Sequence, residues 1–175
     1  MCNRANCMKI IWISFLLTTL LLTSCDLFIS SKSDNEIVDK IPFQTIFKGF
    51  KTEKADDFES VVLRNYVQAY NFLSEYLSEV PARHKLFDIN YSDSLVIGVF
   101  TSGKPNNSYS IEIDSVLAYM NSVNIYVTEY GSAFGGRVIV FPGHFIKGSN
   151  TDVQNKKFDF DLTRICELEP CTWSE

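Results

Sequence analysis

Side chains able to do chemistry are few in this 175-residue chain, and their spacing points away from catalysis. Of the two histidines, His84 lies between Arg83 and Lys85, and His144 follows Pro142-Gly143. A general base needs a group within reach to work on, and zinc needs spacings such as His-x-x-x-His. Neither histidine has such company, so both read as surface residues. Gly131-Ser132-Ala133-Phe134-Gly135-Gly136 offers a serine among glycines. A nucleophile elbow, however, requires Gly-x-Ser-x-Gly between a strand and a helix, and a phosphate cradle requires a helix N-terminus after the glycines. A strand pattern follows here, so the segment is expected to be a hairpin loop whose glycines take positive φ. Glu112 and Asp114 could act as a glycosidase pair, but they alternate with apolar residues, the mark of a solvated strand face. Asp56-Asp57 reads as a solvated turn or helix cap. The expectation is a chain that is not an enzyme and holds no metal and no cofactor.

The cysteines are more informative. Met8-Lys9 precedes a 13-residue apolar run, Ile10 to Leu22, and then Thr23-Ser24-Cys25. A membrane-spanning helix needs about 20 apolar residues, whereas a basic start, a short apolar middle and small residues before a cut make a secretory signal. Leu22-Thr23-Ser24-Cys25 resembles the lipobox of bacterial lipoproteins. That resemblance implies removal of residues 1–24, a lipid (diacylglycerol, with palmitate) on Cys25, and a membrane-anchored protein of the cell envelope. Met8 reads as the better start, which puts Cys25 eighteen residues in, counting Met8 as one. Asp26 after Cys25 favours inner-membrane retention under a rule known for some Gram-negative bacteria. Other phyla read that position differently, so inner or outer membrane stays open. Of the five cysteines, Cys2, Cys7 and Cys25 are then accounted for, leaving Cys166 and Cys171. Outside the cytoplasm these two are expected to form a disulfide, contributing about 2 kcal/mol for so small a ring. Two free thiols in a frayed tail are the alternative.

All 21 acidic residues follow Cys25 while Arg4 and Lys9 precede it, so the mature chain keeps 14 of 16 basic residues and carries a net charge near −7. That balance argues against nucleic acid and against electrostatic binding to anionic lipid. Membrane contact falls to the lipid alone.

The elements that would position any site follow from periodicity. Residues 25–40, polar and rich in Ser, Asp and Lys, read as a lipidated flexible tether that reaches about 50 Å when extended. Residues 41–175 read as one domain. Phe43, Ile46, Phe47 and Phe50 suggest a first strand ending near Gly49, and Val61-Val62-Leu63 a second. Asn65 is placed to cap a helix carrying Tyr66, Ala69, Tyr70, Leu73, Leu77 and Val80 on one side, stopped by Pro81. A longer helix from Asp57 fits almost as well. Leu95 to Phe100 is continuously apolar, as in a central strand. Strands are expected around Tyr109–Ile113 and Val123–Val127, over Val138–Phe141 closed by Pro142-Gly143, and at Phe158–Leu162. The sum is an α+β domain: a mostly antiparallel sheet of about seven strands with one helix, a sandwich being one way to close it. The aromatics are expected mostly in the core. Tyr109, Tyr130, Phe134 and Phe145, at loop ends, could instead anchor a protein partner. Asp93-Ser94-Leu95 and Asp114-Ser115-Val116 resemble the O-glycan acceptors of one bacterial phylum, tripeptides that also arise by chance.

The second half resembles the C-terminal domain of PrcB-like proteins, a family named for an accessory lipoprotein of a bacterial surface protease complex. Its carriers are Phe87-Asp88-Ile89-Asn90-Tyr91-Ser92, Leu95-Val96-Ile97-Gly98-Val99-Phe100, Lys104 through Ile113, Val123-Asn124-Ile125-Tyr126-Val127 and Pro142-Gly143-His144-Phe145-Ile146-Lys147, within about residues 87–162. Where that family has a Thr-Gly-Gly-Tyr-like turn, this chain has Asn106-Asn107-Ser108-Tyr109, and asparagine tolerates the left-handed conformation. The resemblance implies a non-catalytic protein-binding module that stabilises or assists an exported protease, with Asn106, Asn107, Ser108 and Tyr109 as candidate partner contacts. The same turn, after Pro105, also looks like the Asn-Pro-Thr-Thr-Gly-Tyr loop of chagasin-type cysteine-protease inhibitors, which implies a loop-based inhibitor as the second reading.

Overall fold

Strand Leu95–Phe100 organises the domain because both of its faces are apolar. In the computed structural model, which describes residues 37–49, 57–76, 82–134, 136, 139–151, 153–167 and 171, every residue of this strand is buried. Odd positions Leu95, Ile97 and Val99 join one core cluster, and even positions Val96 and Phe100 join another. Side chains alternate faces along a strand, so each face of this one needs a layer to cover it.

The covering layers are a second sheet and two helices. The described strands are β1 (Asp39–Lys40), β2 (Phe43–Lys48), β3 (Phe58–Leu63), β4 (Ser94–Thr101), β5 (Ser110–Ala118), β6 (Ser122–Gly131), β7 (Gly143–Ser149) and β8 (Lys157–Cys166). The helices are α1 (Tyr66–Tyr76) and α2 (Ala82–Phe87). One four-stranded sheet runs β2-β7-β4-β3 and the other β1-β5-β6-β8. All neighbours are antiparallel except β6 and β8, which are parallel. The first core lies between the sheets, where Leu95, Ile97, Val99 and Ile146 meet Ile111, Ile113, Val116, Val123, Ile125 and Val127. The second lies on the other face of the β4 sheet, where Ala69, Phe72, Leu73 and Leu86 of the helices pack on Leu63, Val96, Phe100 and Phe145. The expected single sheet of about seven strands thus becomes two sheets of four. The single helix becomes two, because the outer face of β4 needs its own cover.

Several boundaries differ from expectation for identifiable reasons. Asp39 and Lys40 pair with Ala118 and Leu117, so the expected tether hands over to the sheet before its end. The longer helix from Asp57 is replaced by β3, whose Phe58–Leu63 pair residue by residue with Thr101–Val96. The Asn65 cap is present: its Oδ1 accepts from Gln68 N–H at 2.9 Å. Of the strand expected over Val138–Phe141, Val138 lies outside the described residues; the described part holds an isolated bridge between Val140 and Lys104, and the next described strand starts after the proline, at Gly143. The Gly131–Gly136 segment is not a hairpin loop, since β6 and the next strand, β7, belong to different sheets. Among the described residues, the positive-φ glycine is Gly49 (76°), at the end of β2.

His144, expected at the surface, is 1% exposed. Its Nδ1 accepts the Ile113 N–H at 2.8 Å, so the ring proton sits on Nε2, which lies 2.9 Å from Thr45 Oγ1. The β5 ladder shifts register between Ile113 and Ser115, and the imidazole serves the amide beside that bulge. This links the two sheets through a neutral ring. Burial, then the charge of Lys48, push its pKa down to about 4, against the opposing carboxylates of Glu112 and Asp114. A folded-state pKa below the unfolded value of about 6.5 means the unfolded chain binds the extra proton. Stability from this group is therefore complete above about pH 6.5 and is lost as pH falls toward 4, by an amount on the order of 2–3 kcal/mol. Urea unfolding across pH 4–7 should show a flatter pH dependence in His144→Gln than in the parent; parallel curves would refute the assignment.

Candidate functional site

The row Val123, Ile125, Val127 on β6 faces the core, and the next residue in that row is Glu129, with 0% exposure. On β8 the row Phe158, Phe160, Leu162 continues to Arg164 in the same way. The parallel register sets Glu129 beside Arg164. Glu129 Oε2 accepts from Arg164 Nε at 3.1 Å, and Arg164 Nη2 donates to Asp57 Oδ2 at 2.6 Å. From the loop after β4, Lys104 brings Nζ to 3.0 Å from Glu129 Oε1, with its side chain only 3% exposed. Thr101 Oγ1 lies 3.5 Å from the same oxygen. Two cations thus meet two anions, as desolvated charge requires. The bond from Asp57, and less strongly Glu129, raises the Arg164 pKa against the opposing effect of burial.

This network fastens one end of the two sheets. Lys104 also exchanges backbone hydrogen bonds with Val140, at 2.7 and 3.0 Å, which holds the segment before β7 against the loop after β4. Gly103 permits that approach: a Cβ there would lie 3.0 Å from the Phe141 ring and 3.1 Å from Ile139. Above it sit the candidate contact residues. Asn106 Nδ2 donates to Ser132 O at 3.1 Å, Ser108 Oγ to the same oxygen at 2.8 Å, and Gly136 N–H to Asn107 Oδ1 at 2.8 Å. Asn106 Oδ1 accepts from Ser108 N–H at 2.9 Å, an Asx turn that fixes the tip. The loop after β6 is fixed as well, because Glu167 N–H donates to Gly131 O at 3.0 Å. Cys166 and Cys171 are joined there by a disulfide, with Cα atoms 5.9 Å apart.

Turn and glycine loop therefore form one hydrogen-bonded unit, and it presents apolar surface. Phe134 is 72% exposed and Ile139 68%. Tyr109, by contrast, is buried, so of the four residues expected to touch a partner it faces inward while Asn107 is exposed and Asn106 and Ser108 are half-buried. Ser132 is buried and its Oγ accepts the Phe134 N–H at 3.3 Å, a loop-shaping role. Of the strand-face acids, Glu112 pairs with Lys48 at 2.6 Å and Asp114 accepts from Thr128 Oγ1 at 2.6 Å. Ser94 is buried, with its Oγ bonded to Asp93. Among the described residues, no three His, Cys, Asp or Glu side chains converge as metal ligands. Cys25 and the side chain of His84 lie outside the described residues.

Glu129, Lys104 and Arg164 were not foreseen as a group, although two carried a readable signal. Each of Glu129 and Arg164 ends an alternating apolar row, so period two alone puts a charge at a core position. Nothing comparable marks Lys104.

No family model, curated protein or solved structure matches this chain. The site is a pair of loops joined by hydrogen bonds beside a buried ion pair, with Phe134 and the nearby Ile139 offering aromatic and aliphatic side chains to solvent.

Proposed function

We propose that this chain is a lipid-anchored lipoprotein of the bacterial cell envelope whose domain, read as a β-sandwich with helices on one face, is a non-catalytic protein-binding module. In this reading the signal peptide is removed, Cys25 carries the lipid, and the domain engages an envelope or secreted protein, a protease that it stabilises or assists. The observation that carries the binding reading is the loop unit: Phe134 and Ile139 stand well exposed on segments held by hydrogen bonds and a buried ion pair. Interfaces draw their affinity from a few such anchors, and a fixed backbone lowers the ordering cost of binding. The lipobox-like Leu22-Thr23-Ser24-Cys25 supports the envelope location, and the PrcB-like segments support a protease as the partner.

The second reading, a chagasin-like inhibitor, rests on the likeness of Pro105 and the Asn106–Tyr109 turn to the inhibitors' Asn-Pro-Thr-Thr-Gly-Tyr loop, and on the exposure of Asn107 at its tip. One experiment separates the two. Residues 106–109 are replaced by a Gly-Ser linker, and the chain is purified from solubilised envelopes. Loss of a co-purifying protease, together with a fall in that protease's abundance, is expected from the first reading. Loss of inhibition of a purified cysteine protease with abundance unchanged would favour the second, and no effect on either would dismiss both. Separately, Cys25→Ala should abolish palmitate incorporation, and unchanged labelling would refute the anchor.

A further inference from the structure

Exposed apolar side chains also gather at the end of β6 away from the loop site. There the turn from β5 into β6 is closed by Tyr119 N–H, which donates to Ser122 O at 2.8 Å. Val38 N–H donates to Ala118 O at 2.8 Å, which sets the first described residues beside this turn. Ile37, Val38 and Met120 are 54%, 57% and 42% exposed. On the turn's other side, Lys156 Nζ donates to Tyr119 O at 2.7 Å and Lys157 N–H to Asn121 O at 3.3 Å. Lys40 and Lys157 stand exposed, with Asp39 and Asp159 offsetting part of their charge. Net charge alone assigns membrane contact to the lipid, but this end of the acidic domain is apolar with lysines around it.

We propose that this turn rests on the surface of the phospholipid bilayer that holds the anchor, so that the loop site points away from the membrane. The proposal rests on the lipoprotein reading above and adds the direction in which the domain faces. Ile37 lies twelve residues after Cys25, a reach of about 40 Å even at full extension. The anchored chain therefore enters the domain beside this turn and holds it near lipid at a high effective concentration, where a weak contact suffices. Three side chains are too few for a stable protein interface, which uses roughly 20–30 residues a side. At a bilayer surface they bury apolar area while the flanking lysines reach the headgroups. β6 runs from this turn to Gly131, and its ten residues span about 30 Å. That length carries Phe134 clear of the headgroups, toward a partner in the envelope.

The test uses the chain purified from envelopes and reconstituted into phosphatidylcholine vesicles, with an environment-sensitive fluorophore on Met120→Cys or on Ala133→Cys. Mass spectrometry first establishes the lipid on Cys25. Emission from position 120 is expected to shift to the blue on reconstitution and to be quenched by brominated acyl chains. Emission from position 133 should remain that of a dye in water. Ile37→Asp/Val38→Asp should abolish the shift at position 120, with the lipid and the folded spectrum retained, because a carboxylate does not leave water for the acyl boundary. No shift at position 120, equal shifts at both positions, or a shift that survives the aspartates would overturn the orientation. A shift that grows with protein density at fixed lipid would overturn it too, assigning the patch to a second copy. A chain recovered without lipid on Cys25 would overturn the anchor reading, and the orientation with it. Lipid present without the shift would overturn the orientation alone.

Discussion

Glu129→Ala is expected to destabilise the domain by about 3–5 kcal/mol, the cost of breaking a buried ion pair by removing one of its members. Lys104 Nζ, 3.0 Å away and with its side chain 3% exposed, would lose the Glu129 carboxylate and could not reach water without opening the loop. Arg164 would keep Asp57 at 2.6 Å, so the damage should centre on the Lys104 side. Denaturant unfolding with Lys104→Met, Glu129→Leu and the double variant separates charge from packing. Each single variant should lose several kcal/mol, whereas the double variant should recover much of it, because an apolar pair of similar volume has no desolvation cost. Additive losses would show that the pair is not coupled. The local consequence bears on function: hydrogen exchange at Val140 and Ser132 should accelerate in the single variants, because the loops lose their brace.

Gly98→Ala should have an effect of similar kind in the second core. Gly98 pairs across the ladder with Phe145, and a Cβ at position 98 would lie 2.2 Å from the ring. Phe145 is fully buried among Phe47, Phe72 and Phe100, with centroids at 6.0, 5.7 and 6.4 Å. The ring therefore has nowhere to retreat. Overpacking of this sort costs about 1–3 kcal/mol and sometimes more; Phe145→Ala alone should cost about 3–5 kcal/mol by leaving a cavity. The decisive comparison is the combination. In the Phe145→Ala background, Gly98→Ala should cost little or nothing, because the obstructing ring is gone. A cost that stays the same in both backgrounds would mean the glycine serves some purpose other than admitting the ring.

Much of this fold is legible in the residues, and the misses have physical causes. The continuous apolar run of β4 declares a strand covered on both faces, and the alternations of β5, β6 and β8 declare strands covered on one. What alternation cannot say is which strands share a sheet. β6 and β8 pair in parallel across an intervening strand that belongs to the other sheet, a non-local arrangement that no window of sequence contains. β7 hid behind Pro142-Gly143, which reads as a terminator, and behind His144, whose burial depends on the Ile113 amide of a strand in the other sheet. β1 is two polar residues held by pairing alone. In the loop site, the turn at Asn106–Ser108 is visible from its residue types, but its docking on Ser132 and Gly136 is tertiary. Tyr109 illustrates the limit, since an aromatic at a loop end serves a core or a surface equally well, and here it is buried.

The claim that this end of the domain binds another protein is tested most directly at the two side chains that stand out from it. Phe134 and Ile139, 72% and 68% exposed, should be replaceable by serine with little change in stability, about 0.5 kcal/mol or less. If they are interface anchors, each should be worth about 2 kcal/mol of binding. The measurement is quantitative mass spectrometry of proteins recovered with the tagged chain from solubilised envelopes, comparing the parent with Phe134→Ser/Ile139→Ser. The expected result is a partner whose recovery falls at least about tenfold in the variant while the folded domain and its membrane attachment are retained. The same proteins recovered in the same amounts from both would contradict the account.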